Sequence, residues 1–259
     1  MLSLVVLLVA CKSEFETART LNDPPAQLLK ANEYYEAGDY YEAQILYETV
    51  LPNYRGQPES QQIYYRYAKA HYEQGNYQLA AYYFNQFATY FPNSELQEDA
   101  DYYTAFSYYQ LSPTYRLDQG ATLKAINAFQ LFANAHPNSE RVADANRLID
   151  GMRTKLEKKA FETAMLYYNL GEYQAATIAF ENLLKDYPET AEAERVRFLI
   201  VKGSYELARN SVVKKREERY EETLKRYRQF AQKYPNSTYL ADAKSMEQVA
   251  TKQLQIIRS

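Results

Sequence analysis

Apolar side chains recur at steps of three and four along nearly the whole chain, and the steps break at a few glycines and prolines. The pattern is cleanest between Ala160 and Pro188. There Ala160, Ala164, Tyr167 and Leu170 share a helical stripe, Gly171 stops it, and Ala176, Phe180 and Leu183 restart one that ends at Tyr187-Pro188. This predicts two short helices and a tight turn, with Ala164 and Ala176 letting the helices approach and Tyr167 and Phe180 filling the space between them. The same unit recurs upstream. Ala31, Tyr34, Gly38, Ala43 and Tyr47 mark a first copy, and Tyr64, Ala68, Gly75, Ala80, Phe84, Phe87 and Pro92 a second. Ala105, Tyr108, Ala125, Phe129, Phe132 and Pro137 mark a third, whose two helices are separated by an insertion from Ser112 to Gly120. Such an insertion is either a tolerated surface loop or a binding element.

Other punctuation completes the picture. Asp23-Pro24-Pro25 supplies a cap and first-turn prolines for the first helix. Pro92-Asn93-Ser94-Glu95 is expected to end one helix and cap the next. No proline interrupts Ser139 to about Leu170, which predicts one long helix joining the first three copies to the fourth. A degenerate fifth copy carries Phe198, Val201 and Tyr205, then Tyr220, Leu224, Tyr227, Phe230 and Pro235. The stripe Tyr239, Ala243, Met246, Ala250, Leu254 and Ile257 predicts a last helix that caps the open end of the array.

The order Ala, Gly/Tyr, Ala, Phe, Pro resembles the tetratricopeptide repeat, a helix-turn-helix of about 34 residues. The fold class that follows is all-α: a right-handed superhelical solenoid of about five tetratricopeptide-like helix pairs, with a long connecting helix and a C-terminal capping helix. In such an array the first helix of each repeat lines the concave surface. Counting from the packing alanines Ala31, Ala68 and Ala105 places Asn32, Tyr35, Tyr65, Lys69, Tyr72, Tyr102, Phe106 and Tyr109 in that groove, as a candidate peptide-binding site. The competing reading is that some of these rings fill gaps between helices.

Composition narrows the chemistry. Twenty-eight tyrosines in 259 residues promise much aromatic surface, since each ring brings apolar area and a hydroxyl that needs a partner. A net charge of −3 argues against nucleic acid, which requires a basic stripe to neutralise phosphates. The charged run from Arg209 to Glu222 reads as a solvated helix face, because Glu221 with Lys225 and Glu222 with Arg226 are favourable i,i+4 pairs. The chain has two histidines and one cysteine, and no metal, nucleotide or nucleophile motif. No cofactor, metal site or catalytic residue is therefore expected. His71 sits at an inward helix position and reads as a core imidazole, and His136 precedes a helix-ending proline. Asn236-Ser237-Thr238 matches a glycosylation acceptor by accident.

The cysteine lies in the most specific short motif. Met1 to Ala10 is apolar and ends Leu8-Val9-Ala10-Cys11, which resembles the lipobox of a bacterial lipoprotein signal, cleaved before an acylated cysteine. No Lys or Arg precedes the apolar run, and ten residues are too few to span a bilayer, which takes about 20. The chain then divides into a signal peptide over 1–10, a lipidated tether over 11–22, repeats 1–3 over 23–138, and the connecting helix, repeats 4–5 and cap over 139–259. With lipobox, tether and repeats in this order, and with GDYYEAQILYETVLPNY, GNYQLAAYYFNQFATYFPNSE, FANAHPNSERVADA and LLKDYPET in place, the chain resembles the BamD family of lipoproteins of the outer-membrane β-barrel assembly machinery. The resemblance implies a non-enzymatic, periplasm-facing adaptor held to the outer membrane by its lipid. It also implies docking on a BamA-like barrel subunit through the C-terminal repeats and receipt of unfolded barrel precursors by the N-terminal ones. Two alternatives stay open: another envelope scaffold lipoprotein, for peptidoglycan or division proteins, and a glycan-binding carrier whose tyrosines stack on sugars.

Overall fold

The computed structural model describes residues 14–259, and the lipobox and Cys11 lie outside them. Every regular element among the described residues is helical. A short helix α1 over 14–20 precedes α2 (Pro24–Ala37), α3 (Tyr40–Val50), α4 (Ser60–Glu73), α5 (Tyr77–Tyr90), α6 (Gln97–Gln110) and α7 (Gly120–Ala135). Then come α8 (Val142–Asn169), α9 (Tyr173–Asp186), α10 (Ala193–Arg209), α11 (Val213–Lys233) and α12 (Leu240–Arg258). The described residues form two compact units, 14–152 and 153–259, which divide within α8.

In the first unit α2–α3, α4–α5 and α6–α7 are three antiparallel pairs. Asp23 accepts from the Ala26 N–H at 3.2 Å and Pro24 opens α2, as the sequence suggests. Gly75 follows α4 with φ +75°, a left-handed turn that a side chain resists, so the chain reverses over the three residues Gln74, Gly75 and Asn76. Gly171, at φ +80°, does the same between α8 and α9.

Each core is closed by the repeat that follows it. Ala31, Ala43, Leu46, Tyr47 and Val50 of the first pair bury together with Ile63 and Tyr67 of α4. Ala68, Ala80, Phe84 and Phe87 bury with Ala100 of α6, and Ala105, Ala125, Phe129 and Phe132 with Ala145, Leu148, Ile149 and Met152 of α8. In the second unit Ala164, Ala176, Phe180 and Leu183 bury with Val196 of α10. Helix α12 buries Ala243, Ala250 and Leu254 against α10 and α11 and leaves Val249 and Ile256 to solvent, the amphipathic arrangement of an end cap.

Three local expectations change. Tyr167 and Leu170 are 39% and 67% exposed; the ring that packs on the α8–α9 core is Tyr168, one residue on, together with Phe161. The stripe is rotated because Ala164 meets α9 directly, which turns position 167 outward. Ser94 does not cap α6 in the usual way. Its hydroxyl accepts from the Leu96 N–H at 3.2 Å in a turn that precedes the helix, and Ser139, Thr190 and Ser237 repeat that bond at the later repeat ends. The expected tether is helical over 14–20, where Phe15 and Ala18 pack on the first core and the Gln27 amide bonds the Ala18 and Arg19 carbonyls.

Candidate functional site

The eight groove residues lie on the first helices α2, α4 and α6, and all are half-buried. The side chains of Lys69, Tyr72, Phe106, Tyr102 and Tyr109 form one continuous row. Lys69 lies 4.8 Å from the Tyr72 ring centroid and 4.1 Å from that of Tyr103. Tyr72 meets Phe106 at 6.3 Å, and Phe106 stacks on Tyr102 at 5.7 Å and on Tyr109 at 5.6 Å. The remaining three are tied into helix contacts. Tyr65 packs on Phe84 and Phe87 and donates its hydroxyl to Asp99. Asn32 accepts from the Tyr47 hydroxyl at 2.8 Å and from Arg66 at 3.1 Å, while Tyr35 holds the Arg66 guanidinium 4.9 Å above its ring.

Electrostatics explain how cations stand among rings at this depth. Burial by itself would lower the Lys69 pKa, but its bonds to Glu73 and Tyr103 leave it raised, so the ammonium stays charged. The Tyr102 hydroxyl is pushed up to about 12 by burial and by its 3.0 Å bond to Asp144. Burial raises Tyr35 and Tyr72 as well. The row thus offers neutral hydroxyls and apolar ring area beside fixed positive charge, with Arg141 4.7 Å over the Tyr102 ring at its far side. Such a surface suits an extended peptide with aromatic side chains.

Sequence reasoning missed Arg66, Asp99, Tyr103 and Arg141, and a signal for them exists. The repeat places residue n of one first helix beside residue n+34 of the next: Asn32 meets Arg66 and Tyr65 meets Asp99, each 34 apart. Across the third repeat the spacing becomes 42, as between Tyr102 and Asp144 or Asp99 and Arg141, because the 112–120 segment adds eight residues (42 − 34). In the second unit Arg195 stands over Phe161 and Lys202 over Tyr168, both again 34 apart (195 − 161, 202 − 168). Cation-over-ring contacts between successive first helices are therefore a recurring feature of both units.

Residues 22–218 match the YfiO family, described as outer membrane lipoprotein, and residues 167–257 match it a second time. The chain belongs to this family. The YfiO-type assignment puts it at the outer membrane as a lipoprotein, in keeping with the lipobox. Among curated relatives it is 25% identical over 146 residues to the outer membrane protein assembly factor BamD of Caulobacter vibrioides, a match over 56% of this chain and 48% of that protein. The chain thus spans about half the length of that relative. Its helix pairs are similar to the TPR2AB domain of yeast Sti1 in its pHSP90 complex, at 14% identity and a TM-score of 0.40 over 88% of this chain and 98% of that one. They are also similar to tetratricopeptide-like repeats of a putative kinesin light chain from Podosopora anserina, at 18% identity and 0.34 over 84% and 100%.

Proposed function

We propose that this YfiO-family lipoprotein is a non-enzymatic adaptor of outer-membrane β-barrel assembly. It is held by an acylated Cys11, faces the periplasm, docks on a BamA-like subunit through the helices that follow α8, and receives unfolded barrel precursors along α4 and α6. The observation that carries the reading is the row Lys69, Tyr72, Phe106, Tyr109 and Tyr102, five side chains in contact across two repeats on the first-helix side. Its rings give a strand of precursor large contact area at small entropic loss, and its hydroxyls and Lys69 can bond backbone carbonyls or a terminal carboxylate. The relative named as an assembly factor supports the same setting.

The test is site-specific photo-crosslinking in the full lipoprotein within intact envelopes. A crosslinker at position 72 or 109 is expected to capture nascent barrel proteins, and the same complexes, solubilised in detergent, to contain the BamA-like subunit. Capture from the exposed Leu131 on α7, with none from 72 and 109, would move the receptor surface elsewhere; complexes lacking the barrel subunit would overturn the docking.

A further inference from the structure

A second aromatic surface lies apart from that row. The turn over Leu51–Tyr54 and the segment to Pro58 lean over α4 and α5 and leave a cleft of about 1030 Å³ floored by Tyr64, Tyr67, Tyr83, Tyr90 and Phe91. Tyr64 and Tyr65 are neighbours on α4 yet part company: Tyr65 packs on Phe84 and Phe87, and Tyr64 turns to Tyr83, Tyr90 and Phe91. The cleft and the precursor row therefore use different residues of the same helix.

The ring geometry decides what the cleft can take. Tyr64 meets Tyr90 at 5.6 Å and 90°, Tyr83 at 6.2 Å and 71°, and Phe91 at 6.2 Å and 67°. Rings in direct edge-to-face contact leave no box between them for a quaternary ammonium, which needs several faces around one empty centre. Nor do they form the parallel ridges between which a polyproline segment seats its rings. What remains is a single broad face beside polar groups. Tyr90 is 58% exposed, and Glu48, Arg55 and Gln61 line the same cleft with planar polar ends. Among the described residues none of these three has an ion pair or a side-chain hydrogen bond.

An apolar ring face flanked by free amide, carboxylate and guanidinium groups matches a pyranose, whose C–H face stacks on an aromatic ring while its rim hydroxyls both donate and accept. We propose that the cleft is an oligosaccharide site, with the exposed Tyr90 ring as the stacking face, Tyr64 buttressing it edge-on, and Glu48, Arg55 and Gln61 bonding the hydroxyl rim. The volume suits about two to three sugar rings, at the upper end of ordinary small-ligand clefts. Flat, all-equatorial β-1,4-linked sugars fit this platform better than curved α-1,4-linked ones.

His71 provides the readout. It stacks on Tyr83 at 5.2 Å and 14°, directly behind the cleft, and the only other histidine, His136, belongs to α7 and its end. In the full chain carrying 13C-labelled histidine, chitotriose and cellotriose are expected to shift the His71 ring signals saturably while His136 stays put, and maltotriose to act more weakly. Tyr90→Ala, an exposed site, is expected to weaken binding by about tenfold or more, and Gln61→Ala to weaken it measurably, with capture of barrel precursors unchanged. The proposal is overturned if no saccharide moves His71, if the shift survives both substitutions, or if a proline-rich peptide or choline produces the shift in place of the sugars.

Discussion

Replacing His71 by phenylalanine should stabilise the protein, and should do so increasingly as the pH falls. The imidazole is 3% exposed, lies between Tyr67 at 4.8 Å and Tyr83 at 5.2 Å, and neither ring nitrogen has a hydrogen-bond partner. A buried polar group left without a partner costs roughly 1–3 kcal/mol, which phenylalanine would recover. Its slightly larger ring presses on the two tyrosines and gives back up to ~1.5 kcal/mol. The net expectation at pH 8 is a gain of about 1 kcal/mol, or ~2–4 °C in the melting temperature for a unit of this size.

The pH term has a definite sign. Burial lowers the His71 pKa in the folded state below its ordinary value of about 6.5. The unfolded chain therefore takes up the proton first, so the wild-type protein is fully stable above ~6.5 and loses stability as pH falls from there toward the folded pKa. The loss can reach ~1.4 kcal/mol per pH unit, and the phenylalanine variant escapes it. His136, bonded to Asp101 at 2.8 Å, is common to both proteins and cancels in the difference. Urea unfolding followed by circular dichroism at several pH values between 5.5 and 8 measures that difference. A difference that stays flat across this range, or a variant clearly less stable at pH 8, would refute the reasoning.

The remaining predictions concern packing, one hydrogen bond and the anchor. Ala176→Leu places a branched side chain among Ala164, Phe180 and Leu183 in a core where Ala176 is fully buried, and should cost ~1–3 kcal/mol by thermal melting. Tyr47→Phe removes the 2.8 Å bond to Asn32 and should cost ~0.5–1.5 kcal/mol, with Arg66 still serving the Asn32 oxygen. Cys11→Ala should leave the helix pairs folded and release the protein from carbonate-washed membranes, because the acyl chains supply the anchoring energy. Retention in the pellet would mean that protein partners alone suffice.

The helices were legible because they are amphipathic and punctuated. Gly171 divides and Pro188 ends a pair whose buried residues Ala164, Ala176, Phe180 and Leu183 all follow from periodicity. Periodicity does not separate Tyr167 from Tyr168, because both lie three or four residues after Ala164; the packing of Ala164 in the core fixes the rotation. Of the groove, the row of Lys69, Tyr72, Phe106, Tyr102 and Tyr109 follows from counting along α4 and α6, whereas Arg66 beside Asn32 and Tyr103 beside Lys69 lie one repeat on and need the 34-residue offset as well. Phe15 and Ala18 are not legible because a seven-residue helix over 14–20 carries too few apolar positions to show a period.

That each core is completed by the following repeat bears on how the chain comes to be folded in the envelope. A polypeptide delivered amino end first cannot bury Leu46 and Val50 until Ile63 and Tyr67 have emerged, nor Phe84 and Phe87 until Ala100 has. Each pair should therefore wait, half-finished, for the next helix, and then close quickly because its contacts are short in sequence. Stalling export just after Tyr90 would leave one finished core, because Tyr83 of α5 also packs on it, and stalling just before Ser60 would leave none.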